Sequence, residues 1–284
     1  MQITVSGASG FVGQYVLQEL QSRNLDATAL TRSPTSRLPE IMIPKRVAID
    51  IAKPVSDPLT AIGMPDTLIH LAWDGLPNYR SHRHVETELP AQLAFLTSCI
   101  RGGLKRLVVT GTCYEYGLAP GELGEDAQTQ PCTQYGMAKD MLRKALFALR
   151  DEYDFELTWL RLFYLYGDGQ SANSLYGKFH AALIRNDTTF DMSGGEQLRD
   201  FLPAHEAARI IVEIALRKDI SGIFNVCSGK PISVRNIVQS WIDASNAKII
   251  MNLGKIPYSP DEPMAFWGSR ARFDALFGKD TQRK

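Results

Sequence analysis

The chain has 284 residues, 44% of them hydrophobic and 22% charged, and its 31 Lys and Arg are balanced by 31 Asp and Glu. That length supports a sizeable core, in one large α/β domain or one domain with a smaller lobe. The neutral balance excludes a basic field for nucleic acid or an anionic membrane, so any anionic ligand must be held by local groups.

The four cysteines, at 99, 113, 132 and 227, form no CxxC pair. This argues against a disulfide framework or a zinc site, and for reduced thiols in a cytoplasmic protein with no metal. No apolar run approaches the length of a membrane span, and no leader is read ahead of the first strand.

Strands are predicted at Gln2–Ser6, Ala27–Thr31, Arg46–Ile49, Thr67–Ala72, Lys105–Thr110 and Leu157–Leu162. Helices are predicted at Phe11–Gln21, His84–Ile100 and Gln134–Asp151. Such alternation implies right-handed βαβ units and a Rossmann-type, doubly wound parallel sheet. Past about residue 165 glycines and prolines multiply and the strands shorten, with helices predicted at Pro203–Arg217 and Val234–Ala244. Residues 1–165 are read as a dinucleotide-binding domain and 166–284 as mainly a smaller α/β substrate lobe. Leu198–Arg217 is a candidate to return to the main sheet.

The first strand runs into "VSGASGFVGQY", where Gly7, Gly10 and Gly13 precede a helix. Glycines let backbone amides approach a pyrophosphate, and the helix start adds a partial positive charge. Ser9, Phe11 and Val12 fall in the same turn and are counted as cofactor contacts. The second strand ends in "TRSPTSR", with Arg32, Ser33 and Arg37 where an acid would select NAD(H). Arginine favours a 2′-phosphate, so NADP(H) is expected, with NAD(H) the alternative. Asp50 and Ile51, after the third strand, are placed to meet the adenine.

"TGTCYEYG", from Thr110 to Gly117, ends a buried strand in hydroxyls, a thiol and a carboxylate. Further on, Tyr135 and Lys139 are spaced i, i+4 and share one helix face. An ammonium beside a phenol favours the phenolate, so Tyr135 is expected to have a lowered pKa and to move a proton during hydride transfer.

Together, Gly7 to Gly13, Thr112 five residues before Gly117, and Tyr135-Gly136-Met137-Ala138-Lys139 resemble an extended short-chain dehydrogenase/reductase. More narrowly they are similar to the nucleotide-sugar epimerase/dehydratase branch. "LRLFYLYGDGQ", "GGEQLRDFLPAHE" and "GIFNVCSGKPISV" extend the resemblance over nearly the whole chain. The resemblance implies that Tyr135 is the proton donor or acceptor, with Lys139 tuning it and binding the cofactor ribose. It implies that Thr112 bonds the reacting sugar oxygen, that Arg199 grips a nucleotide diphosphate, and that Leu71 and Ala72 line the cofactor. It also implies a homodimer through two helices, here with apolar residues Leu89, Leu93, Leu96 and Ile100, and Met141, Leu142, Ala145 and Leu149.

Departures from the family pattern narrow the reaction. Dehydratases of the family carry Asp and Glu after the Thr, whereas this chain has Cys113 and Tyr114, with Glu115 displaced by one position. A phenol is a far weaker acid than a carboxyl group, so dehydration is set aside. A 4-ketoreductase of a nucleoside-diphosphate 4-keto-6-deoxy sugar is favoured, and a 4-epimerase is the alternative. A non-catalytic NADP-binding sensor is the rival from another class. Tyr164 and Glu88 both stand where asparagine is usual, pointing to a distinct substrate pocket. In the loop "DGLPNYRSHRH", Arg80 is the candidate to contact substrate, alongside Cys113 and Tyr114.

Overall fold

Strands that are apolar on both faces must lie between two helical layers. In the computed structural model, which describes residues 1–38, 45–260 and 262–278, that is where they lie. The first half runs β1 (Ile3–Ser6), α1 (Phe11–Ser22), β2 (Ala27–Thr31), β3 (Lys45–Ala48), α2 (Pro58–Ala61), β4 (Thr67–His70), α3 (Leu89–Arg101), β5 (Arg106–Thr112), β6 (Gly121–Leu123), α4 (Gln134–Ala148) and β7 (Glu156–Leu162). The remainder runs β8 (Tyr164–Tyr166), α5 (Leu175–Ile184), β9 (Thr189–Asp191), β10 (Leu198–Pro203), α6 (Ala204–Leu216), β11 (Gly222–Val226), β12 (Pro231–Ser233), α7 (Val234–Ser245), β13 (Ile250–Asn252), β14 (Phe266–Gly268) and α8 (Ala271–Phe277).

Seven parallel strands form the main sheet in the order β11-β7-β5-β4-β1-β2-β3. Ile3 pairs with both Ala27 and Thr67, which seats β1 between β2 and β4. The chain winds outward to β3 and then crosses back to β4. The strand order therefore reverses at β1, and ligands of such sheets bind beyond the carboxyl ends of the strands at that point. On one face, Val16, Leu17 and Leu20 of α1 meet Ile210, Ile211 and Ile214 of α6 over Ile3 and Val5. On the other face, Leu96 and Ile100 of α3 and Leu142 and Leu146 of α4 cover Leu68, Leu107 and Trp159.

The segment 198–217 divides. Its strand, β10, pairs with β8 and β12 in a separate three-stranded sheet, whereas its helix, α6, joins the core beneath the main sheet. The strand that completes the main sheet is β11, beside β7. Phe179, Val238 and Trp241 centre a distinct apolar cluster in the C-terminal part.

Of the predicted boundaries that shift, three do so for an evident local reason. β5 runs on through Gly111 and Thr112 because β7 pairs with it to the end. β4 stops at His70, and Leu71 and Ala72 leave the sheet after Leu71 donates to the Ser6 carbonyl at 3.2 Å. The helix read from His84 begins with one wide π-type turn, His84–Glu88, and becomes regular at Leu89. Pro90, which lacks an N–H and crowds the carbonyl four residues back, accounts for that break. The face assigned to a partner copy is also partly internal. Leu89, Leu96, Ile100 and Leu142 are buried in the protomer's own core, while Met137 and Met141 point outward. Among the described residues, no helix is long and apolar enough to cross a membrane.

Candidate active site

The glycine turn is fixed by close approach. Gly7 has φ +67°, and a Cβ there would sit 2.7 Å from the Ala72 amide nitrogen. A side chain at that position would push β1 and β4 apart. α1 starts at Gly10 with no side-chain cap, so the amides of its first turn are left for an anion. Beyond this turn lies a groove of about 480 Å³. Its walls include Gly7, Ser9, Gly10, Arg32, Ser33, Asp50, Ile51, Leu71 and Ala72. The glycine cradle and the uncapped helix start suit a dinucleotide pyrophosphate.

Other expected cofactor residues lie elsewhere. Arg37 is exposed and off the groove, and Ser36 lines it instead. Phe11 opens α1 against Tyr15, and Val12 packs on the core. Glu88, expected to shape the substrate pocket, lines this first groove with Trp73, Asp74, Arg83 and Gln92. A polar relay underlies it. His70 Nε2 donates to Gln92 Oε1 at 2.8 Å, which leaves Nδ1 to accept from the Ser6 hydroxyl at 2.9 Å. Burial lowers the His70 pKa to about 3, so the ring is neutral and holds that tautomer.

α4 brings Tyr135 and Lys139 to the end of β5. Thr133 caps the helix by accepting from the Gly136 amide at 3.1 Å. The Tyr135 amide donates to the Tyr79 carbonyl at 3.0 Å, tying the 74–84 loop to the helix. Lys139 Nζ donates to the Thr110 carbonyl at 2.9 Å and lies 4.1 Å from the centre of the Trp73 ring. Burial pulls the Lys139 ammonium down to about 7, while Glu115 and Glu88 pull it back up.

Tyr135 departs from expectation. Burial pushes its phenol well above the ordinary value, Tyr79, Glu115 and Cys113 add to this, and a hydrogen bond with Thr112 opposes it. A buried lysine near its own titration point gives the phenol less positive charge than a fully charged ammonium. Tyr135 is therefore held as the neutral phenol, a proton donor.

Aromatic rings pack around the Tyr135 ring. Trp73 lies 6.0 Å from the Tyr135 ring, His84 5.3 Å, Tyr79 5.6 Å and Tyr114 6.4 Å. Trp73 belongs to the groove, while Tyr79 and Tyr114 line a second cavity of about 350 Å³. Tyr135 itself is buried and lines neither cavity, but its ring packs against rings from the walls of both. The second cavity is also lined by Arg80, Thr133 and Glu262. Glu262 carried no motif in the sequence. It accepts from Tyr114 Oη at 2.7 Å and from Arg199 Nη2 at 2.9 Å. Arg199 is nearly buried, 4.9 Å from the Phe266 ring and 5.8 Å from the Tyr164 ring. Its neighbour Asp200 instead accepts from the amides of Ser228 and Gly229.

Two residues just after β5 turn away from the cavity. Cys113 is buried among Tyr116, Phe163, Cys227 and Phe266, and burial pushes its thiol up. Glu115 is fully buried. Its carboxylate accepts from the Thr112 amide at 2.9 Å, from Trp159 Nε1 at 2.9 Å and from Arg161 Nε at 2.8 Å. Gly111 makes room for this, since a Cβ there would overlap both the Trp159 nitrogen and a Glu115 oxygen. The displaced carboxylate is thus a structural anchor buried beneath α4, where Arg143 also lies 3.7 Å from it.

Comparison with known proteins agrees with this architecture. Residues 3–227 match the model of the NAD dependent epimerase/dehydratase family. Over 276 residues, 95% of this chain and 100% of the relative, the chain is 33% identical to a dTDP-6-deoxy-L-talose 4-dehydrogenase (NAD(+)) of Aggregatibacter actinomycetemcomitans. It is 26% identical over 261 residues, 86% of this chain and 79% of the relative, to a dTDP-6-deoxy-L-talose 4-dehydrogenase (NAD(P)(+)) of Kitasatospora kifunensis. Among solved structures, MoeE5 in complex with UDP-glucuronic acid and NAD superposes with a TM-score of 0.83 at 23% identity, covering 100% of this chain and 95% of that one. By glycine cradle, Rossmann sheet and matched family model together, this chain belongs to the NAD dependent epimerase/dehydratase family of extended short-chain dehydrogenases/reductases.

Proposed function

We propose that the protein moves a hydride between a nicotinamide dinucleotide and C4 of a nucleoside-diphosphate 6-deoxy sugar. In one direction it reduces a 4-ketone, and in the other it oxidises the C4 alcohol. One observation carries this reading. Tyr135 packs against rings from the walls of both cavities and hydrogen-bonds Thr112, while the Glu115 carboxylate is committed to Thr112, Trp159 and Arg161. A proton donor is present at the junction, and the carboxylate that dehydration would need is turned away. The two relatives named as C4 dehydrogenases support the same choice, and suggest dTDP as the carrier.

A nicotinamide dinucleotide, held by the glycine turn and by Leu71 and Ala72, would supply the hydride or take it up. Tyr135 Oη gives its proton to the C4 oxygen as the carbonyl is reduced, and recovers it in reverse. Thr112 bonds the same oxygen and stabilises the charge that develops on it. Lys139, held by the Thr110 carbonyl and the Trp73 face, would add the partial positive charge that burial leaves it and would bind the cofactor ribose. Leu71, Ala72 and the glycine turn seat the cofactor, and Ser9, Ser33, Asp50 and Ile51 line its adenosine side. Tyr114, Tyr164 and Arg80 bound the sugar. Arg199 is the diphosphate ligand, and a diphosphate there competes with Glu262, which already takes two hydrogen bonds from it. A homodimer through the outward faces of α3 and α4, and a cytoplasmic location, complete the proposal.

The test is to incubate the protein with dTDP-6-deoxy-L-talose and NAD(+) or NADP(+). The expected result is reduced nicotinamide formed in proportion to a C4-keto product. An epimerase would instead give a C4 epimer with no net reduced cofactor. A sensor would bind nucleotide and change nothing.

A further inference from the structure

Arg32 follows β2 and Asp74 lies beyond β4, and β1 separates those two strands in the sheet. Their side chains nonetheless meet, with Arg32 Nη2 3.2 Å from Asp74 Oδ2. Both line the groove beyond the glycine turn, so the pair reaches across the cleft. The same Asp74 oxygen accepts from Arg83 Nη2 at 2.6 Å, and Arg83 lies 3.5 Å from Glu88. Two guanidinium groups and two carboxylates thus form one network whose formal charges cancel, while Asp50, also in the groove wall, pairs with Lys53 at 3.7 Å.

An acid at the end of the second strand ordinarily binds the ribose 2′-hydroxyl of NAD and opposes the 2′-phosphate of NADP. Here β2 runs out into Arg32 and Ser33, which by themselves favour the phosphate. We propose that Asp74 supplies the missing acid from across the cleft, and that it decides the choice between NAD(H) and NADP(H). Asp74 engages Arg32, cancels its charge and repels a dianion approaching it. The inference rests on the dinucleotide reading of the groove. An exposed ion pair of this kind contributes little to stability. Its effect falls on a third charge brought within a few ångströms, where Coulomb energies are still appreciable near a protein surface. The shared Arg83 matters too. With Arg83 and Glu88 paired to each other, removal of the Asp74 charge leaves Arg32 as the uncompensated cation of the groove.

Calorimetric titration of the purified protein with NADH and with NADPH tests this without turnover. The readout is the ratio of the two Kd values. Asp74→Asn is expected to move the ratio toward NADPH by about tenfold. Adding Arg32→Ala to that variant is expected to erase the gain. Arg32→Ala alone, which keeps Asp74, is expected to move the ratio toward NADH, so the proposal stays testable if Asp74→Asn folds poorly. A ratio unchanged by Asp74→Asn, or by Arg32→Ala where that variant alone is measurable, overturns it. If the unaltered protein bound neither nucleotide, the dinucleotide reading would fall and this proposal with it. Binding with an unmoved ratio overturns only the role of Asp74.

Discussion

The dinucleotide groove takes its floor from the ends of β1, β2 and β4, which are neighbours in one sheet, whereas the second cavity gathers residues as far apart as Pro77 and Glu262. The first is built mainly from backbone, since Gly7 and the start of α1 shape it by close approach. The second is built from side chains, with Tyr79, Tyr114 and Arg80 on its wall and Glu262 bridging Tyr114 to Arg199. Tyr135 lines neither, but it packs against rings from both walls and so forms the joint between them. The contrast implies that the groove is sensitive to added bulk and the cavity to lost functional groups.

The largest effect expected is at the joint. Tyr135→Phe keeps the ring and removes the proton, so kcat should fall about a thousandfold, as loss of a positioned general acid does. Steady-state turnover checks this, and a loss below about tenfold would move the proton transfer elsewhere.

Next comes the carboxylate behind the joint. Glu115→Gln removes a buried charge from Arg161, and chemical unfolding should show a loss of about 3 kcal/mol. Turnover per folded molecule should fall far less than in Tyr135→Phe, through the field that Glu115 exerts on Lys139 and Tyr135. A collapse of turnover at undiminished stability would restore Glu115 as a catalytic acid or base.

On the backbone-built side, Gly7→Val places a β-branched residue at φ +67° against Ala72. Strain of about 2 kcal/mol should weaken dinucleotide binding by more than tenfold. Calorimetry with dTDP should meanwhile find the second cavity intact. Equal losses for both ligands would show that the two cavities are not separately built.

The smallest effect is a pH slope at Lys139. Its folded pKa of about 7 lies below the unfolded value of 10.5. Between those values the unfolded chain binds more protons, so stability rises with pH across that window. The cost of the buried ammonium is full below about pH 7 and fades toward pH 10. Lys139→Met removes the group, so the Tm difference between variant and parent should favour the variant most near neutrality and shift toward the parent as pH rises to 10. A difference flat with pH would mean that Lys139 keeps an ordinary pKa.

Much of this was legible before any coordinates. The parallel sheet followed from apolar runs alternating with amphipathic ones, and the glycine turn followed from its place between a strand and a helix. The Tyr135–Lys139 spacing placed both on one face because the helix period requires it. The thiol of Cys113 and the carboxylate of Glu115 were read only by their distance along the chain. Where each points depended on β5 extending through Thr112 and on Gly111 opening space beside Trp159. Glu262 was invisible because its partners, Tyr114 and Arg199, lie 148 and 63 residues away. The lowered phenol expected of Tyr135 failed because desolvation acts on both partners. It raises the phenol and discharges the lysine.

By itself, then, the sequence determined which elements form, which turn suits an anion and which side chains are the candidates to carry the proton, because each depends on residues a few positions apart. Only the tertiary structure decided how those side chains are charged and oriented. Burial is a property of the packed sheet, and the acid facing Arg32 comes from beyond β4, across the cleft. Electrostatics depends on distance in space, and spacing along the chain does not report it.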